Sequence, residues 1–162
     1  MSGDHEAPPV GPIVSSAHLA ASDLPALSEV EFALTMATNA YQRWMVRCMA
    51  AAGEPAMSPL EVLILHLVTH RDRPKTQAEL CLVLNVEDTH LVTYAVRKLT
   101  RSGLVAPGRQ GKEKTVAVTE AGAALCRRYG EIRDALLVRT ARQLGHDPED
   151  LSRLAALLRA LS

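Results

Sequence analysis

Aromatic side chains are scarce in this chain: one Trp, three Tyr and one Phe in 162 residues. With apolar residues at 48% and charged residues at 22%, that scarcity points to a globular protein built from Ala, Leu and Val helices. The length suits one domain able to bury a core without disulfides or a structural metal. Cysteine is also sparse. Cys48, Cys81 and Cys126 are odd in number, far apart and not in CxxC spacing, which excludes a disulfide framework and a zinc site and leaves free thiols in the core. No apolar run approaches the roughly 20 residues that span a bilayer, and the first residues lack a basic segment followed by an apolar one. A cytoplasmic protein with no membrane partner is expected. Nucleophile elbow, phosphate loop and HExxH motif are all missing, and Ser58 and His90 have accounts as a helix cap and a surface residue, so no catalytic residue, metal or cofactor is expected. No repeat of 20 to 50 residues is present.

Net charge is zero, but it is unevenly spread. Residues 1–65 carry two arginines against seven carboxylates, a balance of −5, whereas residues 66–119 carry nine bases against five acids, a balance of +4. The basic third is where nucleic-acid contact is to be sought.

Residues 1–27, with their prolines, glycines and serines and no helical period, read as a mobile arm, and ordered structure is expected from Ser28. Helix starts are marked by Ser or Thr followed three residues later by Glu, the capping box: Ser28–Glu31, Ser58–Glu61 and Thr76–Glu79. Pro59 sits at a first helical position, and Asp147-Pro148 opens a last helix. The spacing predicts helices over about 29–52, 59–70, 77–84, 88–102, 120–144 and 148–161. The inward sets are Leu80, Val83 and Leu84, then Val92, Ala95, Val96 and Leu99, then Ala121, Leu125, Ile132 and Leu136, and finally Leu151, Leu154, Leu158 and Leu161. The apolar face of 29–52 is too wide for a single contact surface. Between Gly103 and Thr119 the period changes: Leu104–Ala106 and Thr115–Thr119 read as strands of a hairpin whose long tip, 107–114, is Pro, Gly and charge.

Helix, short turn, helix and basic hairpin together make a winged helix-turn-helix in a mainly α chain. The helix over 88–102 is of a size that a major groove admits. Opposite its apolar set it carries Thr89, His90, Thr93, Tyr94 and Arg97, with Lys98 and Arg101 at the edges. These offer hydroxyls, an imidazole, a phenol and a guanidinium able to take a guanine edge. Arg109, Lys112 and Lys114 on the wing would neutralise phosphate. Thr76 and Gln77, at the start of the preceding helix, complete the candidate DNA-binding set.

Leu91-Val92-Thr93 through Leu99, Ser102-Gly103-Leu104-Val105, a charged wing and Val118-Thr119-Glu120-Ala121-Gly122 resemble the MarR family of bacterial regulators. The resemblance covers about residues 28–161. It implies one domain over 28–162, with a DNA-binding lobe at 58–119 and dimerisation helices at 28–57 and 120–162. It further implies a homodimer on a pseudo-palindromic double-stranded operator, and a small-molecule effector. The wing departs from the family's Asp-x-Arg pattern, and Glu87-Asp88 place acid at the start of the recognition helix, where it either serves the helix dipole or tunes DNA affinity down.

Other readings stand beside this one. His66 and His70 share a helix face at i and i+4 but lack a Cys or carboxylate partner, so they read as cavity or dimer-side residues and not as a metal site. Zero net charge and the acidic pair suggest the main alternative, a winged-helix interaction module that has lost DNA binding. A small-molecule binding protein with no DNA role is a third.

Overall fold

The structure, a computed structural model, describes residues 13–145 and 147–160. The first twelve residues of the expected arm and Leu161 of the last leucine stripe lie outside the described residues. Eight α-helices and three strands are described: α1 (Ala17–Ala20), α2 (Pro25–Ala51), α3 (Pro59–Thr69), β1 (Lys75–Thr76), α4 (Gln77–Val83), α5 (Thr89–Arg101), β2 (Val105–Gln110), β3 (Glu113–Val118), α6 (Glu120–Arg133), α7 (Arg139–Gln143) and α8 (Pro148–Ala160). A 3₁₀ turn follows α3 at His70–Asp72, and a π-helical turn at Asp134–Val138 joins α6 to α7.

The chain divides into two compact units at Arg43 and Trp44, inside α2. Burial explains the position. Between Pro25 and Arg43 only Ser28 is buried, whereas Met45, Cys48 and Met49 lie in the core. In the first unit α2 begins at Pro25, three residues before the expected cap, and Ser28 is already helical. Its hydroxyl donates to the Leu19 carbonyl at 2.8 Å, so Ser28–Glu31 is not a capping box. Residues 17–20, expected to have no helical period, form the turn α1.

In the second unit α3 is the central element. Val62, Ile64, Leu65 and Val68 are fully buried, and they pack in one aliphatic cluster with Met49 of α2, Leu80 of α4, Val92, Ala95 and Leu99 of α5, Val105 and Val116 of the hairpin, and Leu125 and Tyr129 of α6. Both remaining capping boxes are formed. Ser58 Oγ accepts from the Glu61 N–H at 3.3 Å, and Thr76 Oγ1 accepts from that of Glu79 at 3.2 Å. Each Glu carboxylate returns to the cap N–H.

The sheet is antiparallel with order β1-β3-β2, and β1 is a strand that the sequence pattern did not reveal. The expected long wing tip is mostly strand: β2 and β3 pair from Val105↔Val118 to Gln110↔Glu113, leaving Gly111 and Lys112 as the turn. Pro107 is tolerated because β2 is an edge strand and needs no second partner. The hairpin leads into α6 through Thr119, whose hydroxyl donates to Gly103 O and accepts from the Gly122 N–H. Gly122 is required there, since a Cβ would run into the Leu104 carbonyl.

Other expectations differ in detail. The helix expected over 120–144 is interrupted by the wider π turn. Val83 is 62% exposed, because α4 is only two turns long and makes its buried contact through Leu80. Ala121, Leu136, Leu151 and Leu154 are exposed as well, leaving the apolar stripe of α8 uncovered in the described chain.

Candidate nucleic-acid interface

The expected recognition helix, α5, is amphipathic, with Val92, Ala95 and Leu99 buried while Thr89, His90, Tyr94, Arg97 and Arg101 are exposed. It starts at Asp88, whose carboxylate accepts from the His90 N–H at 2.9 Å. Half of the Glu87-Asp88 acidic pair is therefore structural, because it satisfies a helix N–H that has no intrahelical partner.

Lys98, unlike Arg97 and Arg101, is engaged within the fold. Its ammonium lies 3.0 Å from the Glu61 carboxylate and donates to the Ala56 carbonyl at 2.6 Å, tying α5 to the N-terminus of α3. Two further bases of the middle third are also used internally. Lys75 is 4% exposed and donates to the carbonyls of His70 and Arg73, both at 2.8 Å, bracing the turn in which Arg71 adopts a left-handed φ of 61°. Burial, and then the neighbouring Arg73 charge, push the Lys75 pKa down. Arg73 pairs with Glu79 at 2.7 Å; this hydrogen bond, with that from Thr76, lowers the Glu79 carboxyl from 4.5 to about 2.

Of the six bases left over, Arg71 lies in the 3₁₀ turn and the other five are those expected at DNA. Arg97, Arg101, Arg109, Lys112 and Lys114 are exposed and have no acidic partner among the described residues. Tyr94, Arg97 and Arg101 line, with Val96, Thr100 and Pro107, a cleft of about 620 Å³ between α5 and β2. On the wing, Arg109 stands directly across from Lys114, and Lys112 occupies the turn beside Gly111, whose φ is 61°. Like charges opposite one another in a hairpin repel, so an anion placed between them relieves a built-in cost.

Thr76 and Gln77 are both engaged within the helix-turn-helix. The Thr76 hydroxyl caps α4. The Gln77 amide nitrogen donates to the Thr89 carbonyl at 3.0 Å and to Thr93 Oγ1 at 2.6 Å, locking the two helices of the helix-turn-helix together. The Lys98–Glu61 and Gln77–Thr93 links escaped the sequence reading, and neither carries a local signal; Asp88, by contrast, stands immediately before a helical period, where an acid suits the helix N-terminus.

The two histidines of the second predicted helix have different surroundings. His66 packs edge-on to Tyr129 with ring centres 4.4 Å apart, and Tyr129 in turn meets Trp44 at 5.9 Å. His66 Nε2 is buried with no hydrogen-bond partner among the described residues, and burial lowers its pKa from 6.5. His70 is exposed in the 3₁₀ turn. No group of three metal-ligating side chains occurs among the described residues. Cys48 is buried and Cys81 and Cys126 are half-buried; burial raises the thiol pKa of Cys48 and Cys126.

Residues 57–122 match the family model described as a winged helix DNA-binding domain. No curated protein matches the sequence. Among solved structures, a MarR-family transcriptional regulator from Rhodococcus sp. RHA1 is similar over 82% of this chain and 91% of its own, at 17% identity and a TM-score of 0.67. CouR from Rhodococcus jostii RHA1, solved with bound p-coumaroyl-CoA, gives 82% and 90% coverage, 17% identity and a TM-score of 0.68. A MarR transcriptional regulator from Methanosarcina mazei Go1 gives 82% and 86%, 17% and 0.64. Residues 57–122 are thus similar to a winged helix DNA-binding domain, and the chain has the fold of MarR regulators.

Proposed function

We propose that this chain, with a winged-helix domain in a MarR-type fold, is a transcription regulator that binds a double-stranded operator as a homodimer. The observation that carries the reading is the sorting of charge. Arg97 and Arg101 on α5, and Arg109, Lys112 and Lys114 on the wing, are exposed without acidic partners among the described residues, whereas Arg73, Lys75 and Lys98 of the same basic third are used internally. α5 enters a major groove, where Thr89, His90, Thr93, Tyr94 and Arg97 meet base edges or phosphates; Arg101 and the wing bases lie along the backbone. Thr76 and Gln77 act beside them, Gln77 by holding α5 in place.

In the dimer two copies of α5 occupy successive major grooves about 34–36 Å apart on a pseudo-palindrome. The exposed apolar residues Leu27, Val30 and Leu34 of α2, and Leu151, Leu154 and Leu157 of α8, are surfaces that a second copy would cover. The functional division follows: a DNA-binding lobe over 58–119, flanked by dimerisation helices at 28–57 and 120–162. CouR was solved with an acyl-CoA ligand, which supports a small-molecule effector here too, acting by shifting the population of operator-competent dimers. A cytoplasmic location accords with this role, and no helix among the described residues is long and apolar enough to cross a membrane.

The test is fluorescence anisotropy on the upstream intergenic DNA, from about 50 to 200 mM salt. Wild type is expected to bind with a steep salt slope. Arg97→Ala is expected to lose sequence preference, and Lys112→Ala to reduce the slope by about one. Absence of binding at low salt to this DNA and to random duplex refutes the reading, and moves the search to protein partners of the winged helix.

A further inference from the structure

The hydroxyl of Thr93, at the exposed start of α5, has little left to offer DNA. Its single proton is donated to the Thr89 carbonyl at 2.9 Å. The Gln77 amide nitrogen lies 2.6 Å from the same oxygen and 3.0 Å from the Thr89 carbonyl. A carbonyl only accepts, so the amide must present its NH₂ group here, and Gln77 is therefore the donor to Thr93 as well. Gln77 uses both amide protons in this way and cannot grip adenine through paired donor and acceptor. Thr93 keeps its methyl group and one hydroxyl lone pair.

We infer that Thr93 is a specificity residue that selects an A·T pair through its methyl group, packing on the C5-methyl of thymine, with Gln77 as the positioning residue that fixes this presentation. The inference rests on the DNA-binding reading above. In the major groove a thymine shows a methyl group and its paired adenine an N6 amino donor, the two features that an apolar methyl and a spare lone pair complement. Guanine shows only acceptors, O6 and N7, and Thr93 has no proton for them; cytosine shows an N4 donor that the lone pair can meet but no methyl, so the methyl contact makes the choice.

The experiment uses an operator selected by the full-length protein from a random duplex library, with each thymine in turn replaced by uracil, which removes only the C5-methyl. Affinities for thymine- and uracil-containing duplexes are compared within each protein, so any difference in folded fraction cancels. Wild type is expected to lose roughly fourfold per half-site at one position. Thr93→Ser, which keeps the hydroxyl that Gln77 holds and lacks the methyl, should bind both duplexes equally; Gln77→Ala, which releases the hydroxyl and so frees the methyl to turn, should shrink the difference between them. The inference is overturned if Thr93→Ser retains the thymine preference, if Gln77→Ala leaves it unchanged, or if no thymine position discriminates in the wild type. Failure of the wild type to bind any duplex is a separate outcome that overturns the DNA-binding reading itself.

Discussion

Removing the ammonium of Lys98 should destabilise the protein without changing its electrostatic contact with DNA. The Glu61 side chain is 3% exposed, and its carboxylate accepts from the Ser58 N–H at 3.1 Å and faces Lys98 Nζ at 3.0 Å. In Lys98→Met the aliphatic stem still packs, but the carboxylate keeps only its capping bond and the Ala56 carbonyl loses a donor. Breaking a buried ion pair from one side costs about 3–5 kcal/mol. Because the Lys98 side chain is 34% exposed, water screens part of the attraction, and about 2–3 kcal/mol is the better figure. For a chain of this size that lowers Tm by roughly 4–12 °C. In a Glu61→Gln background the same substitution should cost about 1 kcal/mol or less, since a neutral amide needs no counter-charge. Calorimetry on the four proteins of this cycle supplies the coupling. The salt slope of DNA binding should match wild type, whereas a lysine that neutralised a phosphate would reduce it by about 0.9. Additivity of the two substitutions within about 0.5 kcal/mol, or a reduced salt slope for Lys98→Met, would refute the internal role.

Three further outcomes are expected. Gly122→Ala forces a Cβ against the Leu104 carbonyl where α6 meets the hairpin, and should destabilise by about 2 kcal/mol, read as a Tm lower by roughly 4–8 °C. For His66 burial lowers the folded pKa below 6.5, so the fold favours the neutral ring: its contribution is complete above pH 6.5 and is lost as pH falls through the folded pKa. His66→Phe should flatten the pH dependence of urea midpoints just below pH 6.5, and an unchanged curve would remove His66 as its source. Asp88→Ala should cost about 1 kcal/mol through loss of the cap at α5, while Asp88→Asn, still an acceptor, should stay near wild type in thermal melts.

Legibility in the sequence tracked how local the physics was. Capping boxes at Ser58 and Thr76 span three residues and were read correctly, because cap and carboxylate answer each other within one turn. The same spacing at Ser28 misled, since nothing local says that the helix has already begun at Pro25 and that the hydroxyl turns to Leu19. The wing shows the opposite failure. Pro107, Gly108 and Gly111 argued for a loop, but a proline on an edge strand breaks no ladder, and Gly108 lets the strand pass the Thr115 side chain, 3.0 Å from where a Cβ would be. β1, two residues long, depends wholly on β3, some forty residues later.

At the interface the sequence could count charges but could not say which were available. A net charge of zero looked like evidence against DNA binding, and Glu87-Asp88 looked like acid set against phosphate. Folding changes the weight of each group. Glu79 is engaged by Arg73, Asp88 by the end of α5, and buried Glu61 by Lys98, so these acids act within the protein's own frame. The same bonds occupy Arg73 and Lys98, the basic partners. What remains exposed on α5 and the wing is five bases, with Glu87 and Glu113 nearby, which gives a local excess that the composition conceals. That sorting depends on contacts spanning up to 42 residues, such as the one from Lys98 to Ala56, and no pattern of neighbours along the chain encodes them. The positive surface is therefore a property of the tertiary structure, produced by internal use of the bases and acids that would otherwise blur it.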